Sequence, residues 1–291
     1  MTLWLGIGAI VVAMVAGAVI IWFVSRRSPE GSLADRIPTN VYAVTAGAMT
    51  LLMSFTFAAA FAQYTNAQQA VREEASALLQ MYRATSFIGE PLQTELRNDL
   101  LCYATLVSTQ EWEELSRGKV DLLGPVQQTM IAMDNAISTP EGQKLAGSGL
   151  SIWETGNTNL ATAREQRFAV VDWSVPPIIY FVLIVGSLLT LASLFAYADR
   201  TKPGWGHAAL IVGPIFVAVA ALVVIIFLDS PFIQTPGAVT PEAIEQTVEY
   251  IQSDLESRGL SSQPVCPTDT AEQAVFGQVR LGRERSASTG D

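Results

Sequence analysis

Four long apolar runs divide the chain, and the segments between them are polar. The runs are Leu3–Val24, Val41–Ala62, Val175–Ala198 and Ala208–Leu228, and none of them contains Asp, Glu, Lys or Arg. A bilayer core of roughly 30 Å is crossed by about 20 helical residues, so each run is long enough to span it. The pattern predicts a polytopic membrane protein with four transmembrane helices.

Between the second and third runs, residues 63–174 show helical periodicity and almost no β alternation. An apolar stripe from Tyr64 to Tyr82 predicts that the second membrane helix continues into solvent. Three further helices are predicted, at 91–117, Pro125–Ile137 and Thr158–Val171, with an N-cap at Thr139-Pro140 and a break at 147–149. The fold class is therefore all-α, with a helical extramembrane domain inserted on extensions of helices 2 and 3. The domain boundaries that follow are 1–62, 63–174, 175–228, 229–270 and 271–291.

The segment after the fourth run contains one amphipathic helix. Thr240-Pro241-Glu242 predicts its start, and Gly259 predicts its end. Its apolar face must be buried, and the inserted domain is the nearest surface; the face consists of Ile244, Val248, Ile251 and Leu255. Residues 271–291 are polar, and we expect them to be disordered.

The two short loops are the basic ones. Ser25–Asn40 and Asp199–His207 each carry a net charge of +1, whereas Gln63–Ser174 and Asp229–Asp291 each carry −6. Short loops rich in Lys and Arg stay in the cytoplasm, so we expect both termini and residues 63–174 to lie outside a bacterial plasma membrane. The first run is expected to be a retained helix, because its basic residues follow it rather than precede it.

Two cysteines bear on the same question. Cys102 and Cys266 lie on one side of the membrane in any topology with an even number of helices. A disulfide between them is chemically plausible in an oxidising compartment and would fasten the tail to the domain. Two unpaired, buried thiols are the alternative.

The composition excludes several kinds of site. His207 is the only histidine and lies at a membrane boundary, which rules out a His-rich metal site or a Ser–His–Asp triad. No phosphate-binding or dinucleotide glycine motif is present. A net charge of −10 without a basic cluster disfavours nucleic-acid binding. We expect no catalytic, metal or cofactor-binding residues.

Acidic residues cluster at Glu73-Glu74 and at Glu111-Trp112-Glu113-Glu114. They lack the alternating-oxygen spacing of a calcium loop. The sequence predicts a solvated acidic face there, with a cation-binding or electronegative vestibule as the alternative.

The second membrane helix has two distinguishable faces. One is a stripe of small residues, typical of close helix packing within a bundle or between subunits: Ala43, Gly47, Thr50, Ser54 and Ala58. The opposite face carries Thr45, Thr56 and Gln63. These side chains either line a narrow pore or have hydroxyls bonded to their own helix, which we favour. In the fourth helix, Pro214 predicts a kink.

The run from Ser54 to Glu114 and a short motif after the fourth helix resemble a bacterial family of unknown function, the bestrophin-like domain. The matching positions are Tyr64, Arg72-Glu73-Glu74-Ala75, Tyr82-Arg83, Leu96-Arg97, Leu101, Tyr103, Glu111-Trp112 and Asp229-Ser230-Pro231-Phe232. The resemblance implies a four-helix bacterial membrane protein and kinship with bestrophins, which are pentameric anion channels. No run matches a bestrophin pore neck or calcium clasp, so no channel residue is carried over.

Three functional hypotheses follow. The first is a structural or accessory membrane protein whose exported helical domain binds a partner, either another membrane protein or a second copy. The second is an oligomeric bestrophin-like anion channel. The third is a membrane enzyme, for which Trp112, Glu113 and Trp153 are the candidate aromatic and acidic residues.

Overall fold

The computed structural model describes residues 39–172, 175–197 and 205–264, together with Cys266. The predicted first membrane helix, the loop from Ser25 to residue 38 and the end predicted to be disordered, 271–291, lie outside the described residues.

Every regular element in these ranges is helical, which confirms the all-α class. The α-helices are α1 (Thr39–Ala84), α2 (Leu92–Leu106), α3 (Trp112–Ser116), α4 (Pro125–Ser138), α5 (Pro140–Ala146), α6 (Leu150–Asp172), α7 (Pro177–Tyr197), α8 (Trp205–Leu228) and α9 (Glu242–Ser257). Two 3-10 turns, Thr85–Phe87 and Gly147–Gly149, and one π-helical turn, Val107–Glu111, connect or extend them.

Helix α1 is a single helix of 46 residues. At 1.5 Å per residue it is about 70 Å long, which is more than twice the thickness of a bilayer core. The predicted continuation of the second apolar run into a polar helix is therefore correct. No glycine or proline interrupts the helix between Gly47 and its end.

Among the described residues, one helical stretch is long and apolar enough to cross a membrane. It runs from Ala43 to Phe87, and its most apolar window has a mean hydropathy of 1.6. Two shorter apolar stretches, Pro177–Leu191 and Gly213–Leu228, belong to α7 and α8. The count of four spans stays a prediction.

The helices form two compact units, and the first comprises residues 1–65 and 173–231. Its core joins three helices: Met49 and Ala60 from α1 pack with apolar residues of α7 and α8, namely Leu183, Leu191, Leu222, Ile225 and Leu228. Gly186 allows α7 to lie close to α1, since a Cβ there would be 2.4 Å from the Met49 sulfur. Helix α8 continues through Pro214, and the kink predicted there stays a prediction.

The second unit comprises residues 66–172 and 232–291. Helix α2 lies at its centre and packs against α4 on one side and α9 on another. The tail helix α9 buries Ile244, Ile251 and Leu255, as its apolar face predicts. The tail is thus part of the same packed unit as the inserted domain.

Prolines and glycines set most helix boundaries in this unit. Pro125 and Pro140 occupy first-turn positions, and the Thr139 side chain accepts a hydrogen bond from the Gly142 amide at 2.9 Å. The predicted start of the last helix at Thr158 is wrong. Helix α6 begins at Leu150, directly after the glycine-rich 3-10 turn.

Candidate functional site

Within the part of the chain that the structure describes, one side of α1 is uncovered along the apolar part of the helix. Val44, Leu51 and Phe55 are 71%, 58% and 66% exposed. Only 17% of the most apolar window is buried within the chain. Exposed apolar side chains in such a continuous run require lipid or another protein surface to cover them.

The predicted small-residue stripe lies on this uncovered side. All five of its members are exposed: Ala43, Gly47, Thr50, Ser54 and Ala58. A Cβ on Gly47 would meet nothing within 4 Å. The hydroxyls of Thr50 and Ser54 donate to the carbonyls of Ala46 and Thr50, each at 2.8 Å. In the described residues the stripe therefore packs against no helix of its own chain.

The opposite, weakly polar face is turned toward the other helices of the first unit. Thr56 is 7% exposed, and its hydroxyl donates to the Leu52 carbonyl at 2.9 Å. Thr45 and Gln63 are half-buried. The Thr56 hydroxyl is therefore bonded to a carbonyl of its own helix, which is the interpretation that we favoured over a pore-lining role. Thr56 also lies on the covered side of α1, not on the exposed side.

The second unit contains a cluster of four buried charged side chains, which we call the ion cluster: Glu74 of α1, Glu111 of the π-helical turn, and Arg164 and Arg167 of α6. The side chains of Glu74 and Arg167 have no solvent exposure, and those of Glu111 and Arg164 are 4% and 6% exposed. Two carboxylates face two guanidinium groups, so the cluster is electrically balanced. It joins three separate elements of the unit.

Arg167 is the central member of the ion cluster. Its Nε and Nη2 donate to the two carboxylate oxygens of Glu74 at 2.7 and 3.1 Å, and Nη2 also donates to Glu111. Arg164 Nη2 donates to the other oxygen of Glu111 at 2.8 Å. Such two-pronged, charge-assisted bonds are short and directional. The pairing neutralises two of the basic residues of the segment Gln63–Ser174.

Neutral groups complete the surroundings of the cluster. The Tyr103 hydroxyl donates to Glu74 at 2.7 Å, and burial, followed by the charge of Glu74, raises the pKa of Tyr103 well above its usual range. Burial alone lowers the pKa of Arg167, but the carboxylates of Glu74 and Glu111 outweigh it and raise that pKa. The guanidinium carbon lies 5.3 Å from the ring centre of Phe168.

Burial of Glu74 and Glu111 corrects the predicted solvated acidic face. Only part of each acidic cluster is exposed, including Glu73 and Glu113. The π-helical turn ends at Glu111, and its five-residue bonding pattern places that carboxylate inside the unit. Sequence periodicity does not reveal such a turn, because it assumes a regular helix.

The residues proposed for an enzyme site play structural roles. Trp112 and Trp153 are 6% and 2% exposed and belong to the core. Glu113 is exposed and pairs with Arg117 one turn later. This arrangement offers no support for the enzyme hypothesis.

The tail is fastened to the second unit at two points. The Sγ atoms of Cys102 in α2 and Cys266 after α9 are joined, across a sequence separation of 164 residues. In addition, the Tyr82 hydroxyl donates to the Asp254 carboxylate at 2.6 Å. The structure brings together the two cysteines that the sequence offered as a pair.

In the first unit, Asp229 fixes the start of α7. Its Oδ1 accepts from the Val175 amide at 2.7 Å, and its Oδ2 accepts from the Tyr180 hydroxyl at 3.0 Å. The aspartate opens the Asp229-Ser230-Pro231-Phe232 motif. Sequence reasoning singled out this motif but not its contact, because the partners are about 50 residues away.

Together, these features define an all-helical membrane protein organised around one very long helix, with an inserted helical unit held by buried ion pairs. The family model of the Bestrophin-like domain matches residues 11–242. The chain belongs to the bestrophin-like family.

Solved structures with the same fold support this assignment. A bacterial bestrophin homologue from Klebsiella pneumoniae with a tryptophan-to-alanine mutation has a TM-score of 0.66 at 14% identity, over 88% of this chain and 99% of that one. An isoleucine-to-threonine variant gives 0.64 at 14% identity, over 86% and 99%. A proline-to-alanine variant of a membrane protein gives 0.64 at 14% identity, over 85% and 98%. No curated protein matches the sequence.

Proposed function

We propose that the protein is an oligomeric ion channel of the bestrophin type that conducts anions, with the uncovered face of α1 lining the conduction path or the contacts beside it. One observation carries the proposal: among the described residues, the apolar part of α1 is covered by its own chain on only one side. The family supports this over the accessory-protein hypothesis, because bestrophins are channels.

The chemistry of the uncovered face fits a helix shared between subunits and a path. Small residues permit close approach of neighbouring helices. Thr50 and Ser54 add hydroxyl oxygens within an otherwise apolar surface. Large side chains on the adjoining side, such as Phe55, fit lipid or a second copy. The partners proposed are therefore the bilayer and further copies of this chain.

The membrane arrangement is part of the same proposal. Four spans cross a bacterial plasma membrane, and both termini and residues 63–174 lie outside. The net charges of the loops support this orientation, and a bond between Cys102 and Cys266 fits an oxidising compartment. After reduction, an impermeant thiol reagent applied to intact cells should label Cys266. Labelling only after lysis would show that the orientation is the opposite one. That result would not contradict the channel proposal.

Recording from the purified protein in planar bilayers tests the channel. We expect unitary currents, and we expect Ser54→Leu to reduce their amplitude at least fivefold, since the added apolar volume lies on the uncovered face. The matched control is Thr158→Leu. Thr158 is also exposed, and its hydroxyl also donates to a carbonyl four residues earlier, but it lies on α6 in the second unit.

Light scattering in detergent should show an oligomer before any recording begins. The proposal would be contradicted if the protein were monomeric, or if well-folded protein gave no current in the bilayer. If Ser54→Leu and Thr158→Leu changed the current equally, α1 would not line the conduction path.

A further inference from the structure

The loop between α3 and α4 in the second unit presents two apolar side chains to its surroundings. Leu122 and Leu123 are adjacent in the chain and are 61% and 74% exposed. The turn that carries them is hydrogen-bonded, because the Leu123 amide donates to Asp121 Oδ1 at 2.9 Å. Gly124, the last residue of the loop, is buried. Adjacent exposed leucines on a turn fixed in this way are typical of a contact with lipid or with another protein.

The contacts between α4 and α6 show which end of the second unit carries the loop. Asn157 of α6 donates to Asp134 of α4 at 2.8 Å, and Arg164 of α6 donates to Gln127 of α4 at 2.6 Å. Toward the end of α6 the partners therefore move back toward the start of α4, and the two helices run antiparallel. The loop that precedes α4 thus lies at the end of the unit where α6 ends, at Asp172.

The chain itself keeps this end of the unit close to the third apolar run. Val175, the first residue of that run, follows Asp172 by three residues. A fully extended chain spans at most about 3.6 Å per residue, so the two residues lie within about 11 Å of each other in any arrangement of the two units. The headgroup layer on each side of a bilayer core is about 5–8 Å thick. Side chains at this end are therefore within reach of lipid headgroups when the run lies in a membrane.

We propose that the loop of residues 117–124 is a membrane-contact loop whose Leu122 and Leu123 side chains insert into the headgroup layer of the bilayer. Lys119 in the same loop is exposed. Its long apolar stem can lie beside the leucines while its ammonium stays at the lipid phosphates. Lipid is favoured over a second copy of the chain because the loop lies at the end that the chain joins to an apolar run. The contact requires membrane residence, which the family implies, and does not require conduction.

Lipid quenching of a fluorophore on Leu122→Cys tests the contact. The full-length protein is reconstituted into vesicles of phosphatidylcholine and phosphatidylglycerol. Cys102 and Cys266 are joined, so a nitrobenzoxadiazole maleimide labels only the introduced thiol, and the parent chain, treated identically, is the blank. We expect lipids that carry a nitroxide near the top of the acyl chain to quench the emission at least twofold.

Phe87→Cys is the matched control. Phe87 is as exposed as Leu122, at 61%, but it lies at the other end of the unit. A Cβ on Gly149, the residue before α6, would be 3.2 Å from the Phe87 Cβ. Helix α6 has 23 residues and is about 35 Å long. We expect the same lipids to quench the fluorophore at position 87 by less than a factor of 1.2.

An additional substitution shows whether the leucines or the fluorophore cause the insertion. Adding Leu123→Asp to the labelled Leu122→Cys protein should at least halve the quenching, because a carboxylate favours water. Unchanged quenching in that variant, or equal quenching at positions 122 and 87, would mean that the fluorophore enters lipid by itself, and would overturn the proposal. Emission at position 122 that is shifted to shorter wavelength but not quenched would show that protein covers the loop, and would overturn the assignment to lipid. Emission that is neither shifted nor quenched would place the loop in water.

Discussion

Removing the link between Cys102 and Cys266 should destabilise the second unit. The bond closes a loop across 164 residues. In the chain-entropy account, a bond that closes a loop of that length lowers the entropy of the unfolded chain and stabilises the folded state by at most about 5 kcal/mol. The enclosed apolar helices α7 and α8 remain in detergent after unfolding, which shortens the effective loop, and each halving of length lowers the figure by about 0.6 kcal/mol.

Measured effects of native disulfides are usually about 2–4 kcal/mol. We expect that range for Cys102→Ser combined with Cys266→Ser. Part of the tail should stay docked, because the buried face of α9 and the Tyr82–Asp254 hydrogen bond do not depend on the link.

The assay is guanidinium unfolding in detergent, followed by circular dichroism at equal protein concentration. Four samples are compared: the oxidised wild type, the wild type with reductant, and the double serine variant without and with reductant. The reduced wild type and the variant should share one lower midpoint, and reductant should not affect the variant. Identical midpoints for all samples, or two free thiols by non-reducing mass mapping, would refute the reasoning.

Three further predictions concern individual side chains. Burial, with a smaller contribution from the charge of Glu95, raises the pKa of Asp99 from 3.8 to about 6. The folded state therefore binds the proton of Asp99 more tightly than the unfolded state does. The free energy of unfolding should fall as the pH rises from about 4 to 6. Asp99→Asn should flatten that slope in unfolding midpoints measured across this range, and an unchanged slope would exclude Asp99 as its source. Thr139→Ala should cost about 1 kcal/mol, because it removes the cap on α5, whereas Thr158→Ala, measured in the same denaturation series, should change stability little. Gly142→Ala should cost more than Thr139→Ala, since its Cβ would lie 2.1 Å from the Ala136 carbonyl oxygen; an unaffected midpoint would show that the turn adjusts.

Local patterns were enough to predict most of the helical architecture. Prolines at first-turn positions and glycines after helices mark boundaries whatever the tertiary contacts are, which is why Pro125, Thr139-Pro140 and Gly259 gave correct starts and an end. The start of α6 was missed because the buried face of its first turns carries only Trp153 and Gly156, with exposed residues such as Ser151 and Glu154 between and beside them, so no apolar stripe marks these turns.

The ion cluster could not be predicted in the same way. Glu74 and Arg167 are 93 residues apart, and nothing in a single sequence pairs them. Glu111 points inward because of a π-helical turn that regular periodicity does not anticipate. One local signal was available: Arg164 and Arg167, three residues apart, interrupt the apolar side of a helix, and charges in such a position usually have partners.

The direction of the two faces of α1 also needed the structure. Sequence spacing separates the small-residue stripe from the Thr56 side but does not say which side the chain covers. Packing of α7 and α8 decides it, because Leu183 and Leu222 share one core with Met49 and Ala60, which lie on the Thr56 side of α1.

The reversal potential across a chloride gradient tests the central claim most directly. For purified protein in a bilayer with a tenfold KCl gradient, an anion channel should reverse near the chloride equilibrium potential, about 59 mV from zero. Reversal at the potassium potential would contradict anion conduction and point instead to the acidic segment of residues 63–174, whose net charge is −6, as the selectivity element. Absence of any current from folded, oligomeric protein would contradict the channel itself.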